Sequence, residues 1–246
     1  MFFSPTRVLE TRDLGSDFFL LSVESEELSR AMPGQFASVS LGRDDPLIPR
    51  PLSIFNATDG RVDFLVKIRG RATSLLYSLA EGDTLLATGP LGRPLPEFDS
   101  SVLVAGGVGV APLAFYARKY GSRHRGLPLL LGLPEPVPGL VEALSGLDPV
   151  VICENSPAGG TVVDLVRRGY PSESLYIACG PWAMVGALLE VVPAEKIIVV
   201  AEGMMACGVG TCLVCALPTK SGKYTRICTE GPWFRASDID FTKPLG

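Results

Sequence analysis

The chain has 246 residues, is 47% apolar and carries a formal net charge of −4. That length suits one large or two ordinary domains, and Lys and Arg form no block of the kind that binds a nucleic-acid backbone. The single histidine leaves no set for His-based metal or triad chemistry, and 27 Gly and 21 Pro announce many turns.

The opening residues MFFSPTRVLE hold a short apolar stretch cut by Pro5, which is no secretory signal. Residues 1–96 then alternate apolar and polar in short runs such as DFFLLSVES, GQFASVSL, PLSIFNA and RVDFLVKIRG, broken by Pro and Gly. This pattern predicts an antiparallel barrel or sandwich. One helical stretch interrupts it, ATSLLYSLAEGD, with Leu75, Leu76 and Leu79 on one face.

Residues 97–200 change character. SVLVAGG, LPLLLGL, PVVICE, SLYIACG and KIIVVAE are continuous apolar runs, as parallel strands buried on both faces require. The helical stretches VAPLAFYARKYG, GLVEALSG, GTVVDLVRRG and PWAMVGALLEVV separate them, so the segment predicts a doubly wound α/β domain. The run 102–117 contains three glycines and a proline and is too short to cross a bilayer, so no membrane association is expected. Within it, Gly106, Gly107 and Gly109 make a turn and Pro112 lies where a helix opens. Such a turn offers free N–H groups to a pyrophosphate; a tight strand–helix turn without a ligand is the alternative, and the order is not G-x-G-x-x-G. A second candidate is Cys179-Gly180-Pro181 at a strand end, where open α/β sheets bind ligands. Cys153 reads as core.

Residues 201–246 form a small cysteine-rich module. Cys207, Cys212, Cys215 and Cys228 read C-x4-C-x2-C-x12-C. The first three match the plant-type ferredoxin loop, and the fourth completes a four-thiolate site for a [2Fe–2S] cluster. Gly208 and Gly210 lack a Cβ and let the backbone approach the sulfurs. A zinc site built from four cysteines shows two closely spaced pairs, whereas here only Cys212 and Cys215 are that close. Disulfides need an oxidising compartment, and the expectation is a cytoplasmic protein with reduced thiols.

Together these segments resemble the ferredoxin–NADP reductase superfamily, in which a barrel holds a flavin and an α/β domain holds a nicotinamide nucleotide. The resemblance rests on GGVGVAPL, on CGP, and on four marks in the barrel. Arg50-Pro51-Leu52-Ser53 matches the R-x-x-S flavin motif and Pro33-Gly34-Gln35-Phe36 the strand entry before it. Gly70-Arg71-Ala72-Thr73 stands at the loop that meets the flavin pyrophosphate, and Gly89-Pro90-Leu91-Gly92 at the strand exit. Leu65, Val66 and Lys67 occupy the strand that, by resemblance, flanks the adenosine diphosphate. Leu52 replaces a common stacking Tyr, and Ala72 replaces a common Gly.

The cysteine module is similar to that of the electron-transfer subunits of dihydroorotate dehydrogenase B, through Glu202, Met205, Cys207, Gly208, Gly210, Cys212 and Cys215, then Cys228, Gly231, Pro232 and Phe234. Subunits of sulfhydrogenases and of bifurcating NADH-dependent ferredoxin–NADP oxidoreductases share the architecture. The resemblance implies FAD, a [2Fe–2S] cluster and NAD(P)(H) as a diffusible substrate. It also implies an FMN-containing dihydroorotate dehydrogenase catalytic subunit as partner, in a heterotetramer. A hydride carries two electrons and the cluster takes one, so a flavin between them is the expected converter. A zinc-stabilised, non-redox interaction module is the reading from another class. The compact stretch 154–161 leaves NADH against NADPH open.

Overall fold

The computed structural model describes residues 3–42, 46–124, 127–157, 159–172 and 174–243. The first part is a closed six-stranded barrel. Strand β1 (Ser4–Gly15) turns back into β2 (Phe18–Glu24) through Ser16 and Asp17, both at positive φ. Then come β3 (Phe36–Ser40), β4 (Arg50–Thr58) and β5 (Arg61–Lys67). The β4–β5 hairpin turns on Asp59-Gly60, both at positive φ, as a two-residue hairpin of this kind demands. Helix α1 (Arg71–Tyr77) and strand β6 (Thr84–Leu91) follow. The strand order β1-β2-β5-β4-β3-β6 closes because β6 pairs with both β3 and β1.

Side chains alternate across a strand with period two, and here both faces of β2 and β5 are used. Phe19, Leu21, Val23, Val62, Phe64 and Val66 fill the barrel, with Leu76 of α1 packed into the same core. Phe18, Leu20 and Leu65 point outward and join a second core shared with the next domain.

That domain begins with β7 (Val102–Gly106), the tight turn Gly107–Gly109, and α2 (Val110–Tyr120). Helix α2 is buried nearly all round because the sheet lies on one side and the barrel on the other. Strand β8 (Leu129–Leu133), α3 (Pro138–Ala143), β9 (Val150–Cys153), α4 (Val162–Gly169), β10 (Tyr176–Cys179), α5 (Trp182–Leu189) and β11 (Ile197–Val200) complete the alternation. Residues of α2 and α3 pack in one core and residues of α4 and α5 in another, so the sheet is covered on both faces. Cys153, on edge strand β9, is only partly buried and packs against the first of these cores.

After β11 the chain runs through 201–215 without regular structure. A small hairpin, β12 (Ala216–Pro218) and β13 (Tyr224–Arg226), is followed by α6 (Ile227–Glu230) and β14 (Trp233–Arg235). Strand β14 pairs antiparallel with β11 and extends the otherwise parallel sheet, whose order is β14-β11-β10-β7-β8-β9. The cysteine module therefore grips both other parts. Trp233 donates its indole N–H to the Pro94 carbonyl at 2.9 Å, and Arg93 N–H donates to the Gly231 carbonyl at 2.7 Å. Among the described residues no helix is long and apolar enough to cross a membrane.

Candidate functional site

Two cavities meet between barrel and sheet. The first, of about 250 Å3, is lined from the barrel by Pro51, Leu52 and Ser53 of β4, by Leu65, Val66 and Lys67 of β5, and by Arg69 and Thr73. Opposite stand Val108, Ala111 and the segment after β11, namely Ala201, Glu202, Gly203 and Met205, with Pro232. The second, of about 620 Å3, lies over the carboxyl ends of the strands. Its lining includes Gly106, Gly107, Gly132, Glu154, Thr161 and Pro181. Lys67, Arg69, Val108 and Glu202 line both.

The sequence-predicted residues divide between these places. Pro51, Leu52, Ser53, Leu65, Val66, Lys67 and Thr73 come together in the first cavity, and Gly106, Gly107 and Pro181 in the second. Arg50 and Ala72 instead line a small separate cleft with Val39, Leu41 and Ile48, and the Arg50 guanidinium donates to the Ile48 carbonyl. Gly70 lines neither cavity. It stands before α1, where the Thr73 hydroxyl accepts from Arg69 N–H at 2.9 Å and Gly70 N–H at 3.2 Å and donates to the Gly70 carbonyl at 2.9 Å. In this structure that hydroxyl caps its own helix.

Gly109, Pro112, Cys179 and Gly180 are buried behind the second cavity. Their part is close packing. A Cβ on Gly109 would stand 2.3 Å from the Cys179 carbonyl oxygen, and one on Gly180 would stand 2.9 Å from the Gly106 backbone. Two backbones touch there, so the glycine turn lies hard against the end of β10.

At the junction of the cavities, the Cys179 thiol donates to Glu202 Oε1 at 3.6 Å. Burial raises the Glu202 carboxyl above its ordinary range, against the opposing pull of the Cys179 hydrogen bond and the Arg69 charge. Burial likewise pushes the Cys179 thiol well up, and the neighbouring carboxylate adds to it.

The four cysteines of the module gather as two pairs. Cys215 donates to Cys228 with the sulfurs 3.2 Å apart, both buried. Cys207 accepts from the N–H groups of Val209 and Cys212, each at 3.5 Å, and the Cys212 thiol bonds to it as well. Burial would raise the Cys207 thiol, but bonds from Thr211, Cys212 and Val209 outweigh it and hold it at about 5. Burial, then the contact with Cys215, pushes Cys228 up to about 12, while the Gly210 N–H points at it. Gly208 and Gly210 take positive φ of 69° and 82°, which turns successive N–H groups toward the sulfurs. Backbone donors aimed at thiolates are what an iron–sulfur core needs, since they offset its negative charge. Among the described residues no group of three or more His, Cys, Asp or Glu side chains is placed to hold a metal ion.

The family model described as "Iron-sulfur cluster binding domain of dihydroorotate dehydrogenase B" matches residues 202–240, which hold all four cysteines. The electron transfer subunit of dihydroorotate dehydrogenase B (NAD(+)) from Bacillus caldolyticus is 34% identical over 222 residues, covering 84% of this chain and 86% of that protein. The subunit of the same name from Caldanaerobacter subterraneus subsp. tengcongensis is 31% identical over 245 residues, covering 96% and 97%. The chain belongs to the family of dihydroorotate dehydrogenase B electron transfer subunits.

Solved structures share the fold. A structure described in connection with flavin-based electron bifurcation in the NADH-dependent reduced ferredoxin–NADP oxidoreductase superimposes with a TM-score of 0.82 at 26% identity, covering 96% of this chain and 90% of that one. A ferredoxin–NADP+ reductase from Neisseria gonorrhoeae, solved with bound FAD and NADP, shares the fold with a TM-score of 0.64 at 19% identity, covering 77% and 89%. The barrel, the doubly wound sheet and the C-terminal iron–sulfur domain expected from the sequence are thus those of the family.

Sequence reasoning passed over Arg69, took Glu154 and Thr161 only as the ends of the compact stretch 154–161, and took Glu202 only as part of the cysteine motif. Arg69 directly precedes Gly70, and an acid at a strand end is a readable signal for Glu154. Nothing local marks Glu202 as a wall of two cavities.

Proposed function

We propose that the chain carries electrons between a nicotinamide nucleotide and a dihydroorotate dehydrogenase catalytic subunit, through FAD in the first cavity and a [2Fe–2S] cluster on the four cysteines. The observation that carries this reading is the route of the cysteine segment. Met205, two residues before Cys207, and Pro232, four residues after Cys228, both line the first cavity. Phe36 lines that cavity too and packs in the same buried cluster as Cys215 and Cys228. One apolar wall therefore separates the two cofactor sites.

A flavin supplies the conversion between the paired electrons of a hydride and the single electrons of the cluster. The protein supplies position. Leu52, Val66, Ala111 and Val200 give the first cavity apolar walls that suit a planar ring system, and Ser53, Lys67 and Arg69 put polar and cationic groups on it. Gly106 and Gly107 let phosphates approach the backbone of the second cavity. Glu202 and Cys179 hold the junction, where a nicotinamide would face the ring.

The exit to the partner is the exposed side of the cysteine loop. Val209, Leu213, Val214 and Tyr224 expose 39%, 60%, 42% and 68% of their surface. An apolar group of this kind around a redox centre suits a docking surface, and by the family its occupant is the catalytic subunit. Four cysteines committed as thiolates to a cluster suit the reducing cytoplasm. A second reading, the corresponding subunit of a bifurcating oxidoreductase, is favoured by the TM-score of 0.82.

The test is an anaerobic titration of the purified chain with NADH, followed by absorbance and electron paramagnetic resonance. The expected result is bleaching of bound flavin and reduction of a [2Fe–2S] signal, with a dihydroorotate dehydrogenase subunit copurifying. A colourless, zinc-loaded protein would overturn the reading, and a glutamate-synthase-like partner would select the second one.

A further inference from the structure

The two ends of the second cavity differ in charge. Its barrel end carries Lys67 and Arg69 beside Glu202. Its far end is formed where β9 stops and α4 starts, and there Glu154 and Thr161 line it; among the described lining residues no Lys, Arg or His stands at that end.

Glu154 is held in place by its backbone. Its N–H donates to the Leu133 carbonyl at 2.9 Å, continuing the β8–β9 pairing. The following turn folds back on it. A Cβ on Gly159 would lie 2.4 Å from the Glu154 carbonyl oxygen, so the loop closes only with glycine there. Ser156 reinforces the turn by donating to the Cys153 carbonyl at 2.9 Å.

The start of α4 already holds a carboxylate. Asp164 Oδ2 accepts from Thr161 N–H at 2.8 Å and from the Thr161 hydroxyl at 2.9 Å, while Thr161 Oγ1 accepts from Asp164 N–H at 3.3 Å. The chain's own carboxylate thus puts a negative charge at the N-terminus, a place where a phosphate would otherwise be favoured. Arg167, the nearest cation on the helix, is taken by Asp164 at 3.3 Å and Glu190 at 3.8 Å.

NADPH differs from NADH by one phosphate on the adenosine ribose, a group that needs cations or free donors. A ribose 2′-hydroxyl needs an acceptor, and a carboxylate at a strand end is the usual one. We propose that Glu154 selects NADH over NADPH, its carboxylate accepting from the 2′-hydroxyl and, with Asp164, repelling a 2′-phosphate. This rests on the reading that the second cavity binds a nicotinamide nucleotide. The motif spacing of roughly 20 residues between the glycine turn and the acid does not find Glu154, because two strands intervene.

The test uses the flavin-loaded chain with NADH and NADPH in stopped-flow reduction, and independently the binding of ADP and 2′,5′-ADP by equilibrium titration. The wild type is expected to prefer NADH by about 100-fold and ADP in the same sense, and Glu154→Gln to narrow both ratios about tenfold by improving the phosphorylated ligand. Glu154→Arg should narrow them further. Equal use of NADPH by the wild type, an unchanged ratio in Glu154→Gln, or no binding of either nucleotide overturns the inference. A flavin that neither cofactor reduces, in a protein that still prefers ADP in a Glu154-dependent way, would sink the proposed function and leave this selection standing.

Discussion

The Cys179 thiol donates to the Glu202 carboxylate across 3.6 Å at the wall between the two cavities. The sheet brings them there: β10 and β11 are parallel neighbours with Ala178 opposite Val199, so Cys179 ends one strand as the chain leaves the other toward Glu202. Burial holds the Glu202 carboxyl above its ordinary range. The folded protein therefore binds that proton more tightly than the unfolded chain does. The stability this adds is complete below the ordinary carboxyl value of about 4.3 and is lost as pH rises through the raised folded value.

Glu202→Gln removes that dependence. Melting temperatures of the variant and the wild type, compared from acid to neutral pH, should shift in favour of the variant as pH rises. A gap that stays constant with pH would show that Glu202 does not titrate in this way. Flavin reduction by NADH should slow by roughly tenfold or more, because the group that orients the nicotinamide end has changed.

The cluster assignment separates cleanly from the flavin. Cys215 and Cys228 form the buried pair, so Cys215→Ser should lose the iron–sulfur absorbance and iron content while keeping flavin. NADH should still bleach that flavin, and reduction of the catalytic partner should fall by about 100-fold or more, as expected when the carrier between two centres is gone. Full cluster occupancy in the variant would show that Cys215 is not a ligand.

Leu213 offers a test of the docking surface. It sits between Cys212 and Cys215 at a positive φ of 60° with 60% of its surface exposed. A leucine in the left-handed region is uncommon, which fits a side chain held outward for a partner. Asn tolerates that backbone, so Leu213→Asn removes the apolar group without forcing the loop. Affinity for the catalytic subunit should weaken about tenfold or more, as for an interface anchor, with the cluster spectrum retained. Calorimetry or surface resonance with the purified partner measures it.

Much of this fold is legible in the chain, and the exceptions have physical causes. The five apolar runs from 102 to 200 became β7, β8, β9, β10 and β11 because a sheet covered on both faces needs no alternation. The barrel reads less cleanly. FFLL in β2 is apolar on consecutive positions because its outer face packs against the α2 side, which a half-exposed strand would not do. Strand β14 has three residues and no pattern of its own; its place comes from backbone pairing with β11. Arg50 and Ser53 share a motif, yet only Ser53 lines the first cavity and Arg50 lines the separate cleft. Glu202 lines both cavities through tertiary position alone.

Arg118 joins the parts whose walls make those cavities. From α2 its guanidinium donates to the Phe55 carbonyl of β4 at 2.9 Å and to the Ala143 carbonyl of α3 at 2.8 Å, and it stacks 4.3 Å over the Phe55 ring. Burial lowers its pKa, against the pull of Asp63, but the very high ordinary value of arginine leaves it charged at neutral pH. A planar fork reaches two carbonyls at once; an ammonium reaches one and cannot stack. Arg118→Met should cost about 2–4 kcal/mol, the loss of two hydrogen bonds to a charged, half-buried group, and Arg118→Lys somewhat less. Since Lys67 and Arg69 come from the barrel and Gly106 and Val108 from the sheet, loosening this clamp should also slow NADH-to-flavin transfer. Denaturant unfolding followed by flavin release and far-ultraviolet circular dichroism distinguishes the cases. Separated transitions in Arg118→Met, coincident ones in the wild type, would show the clamp at work. Equal stability of the two proteins would show that the shared core of Phe18, Leu65 and α2 holds the domains without it.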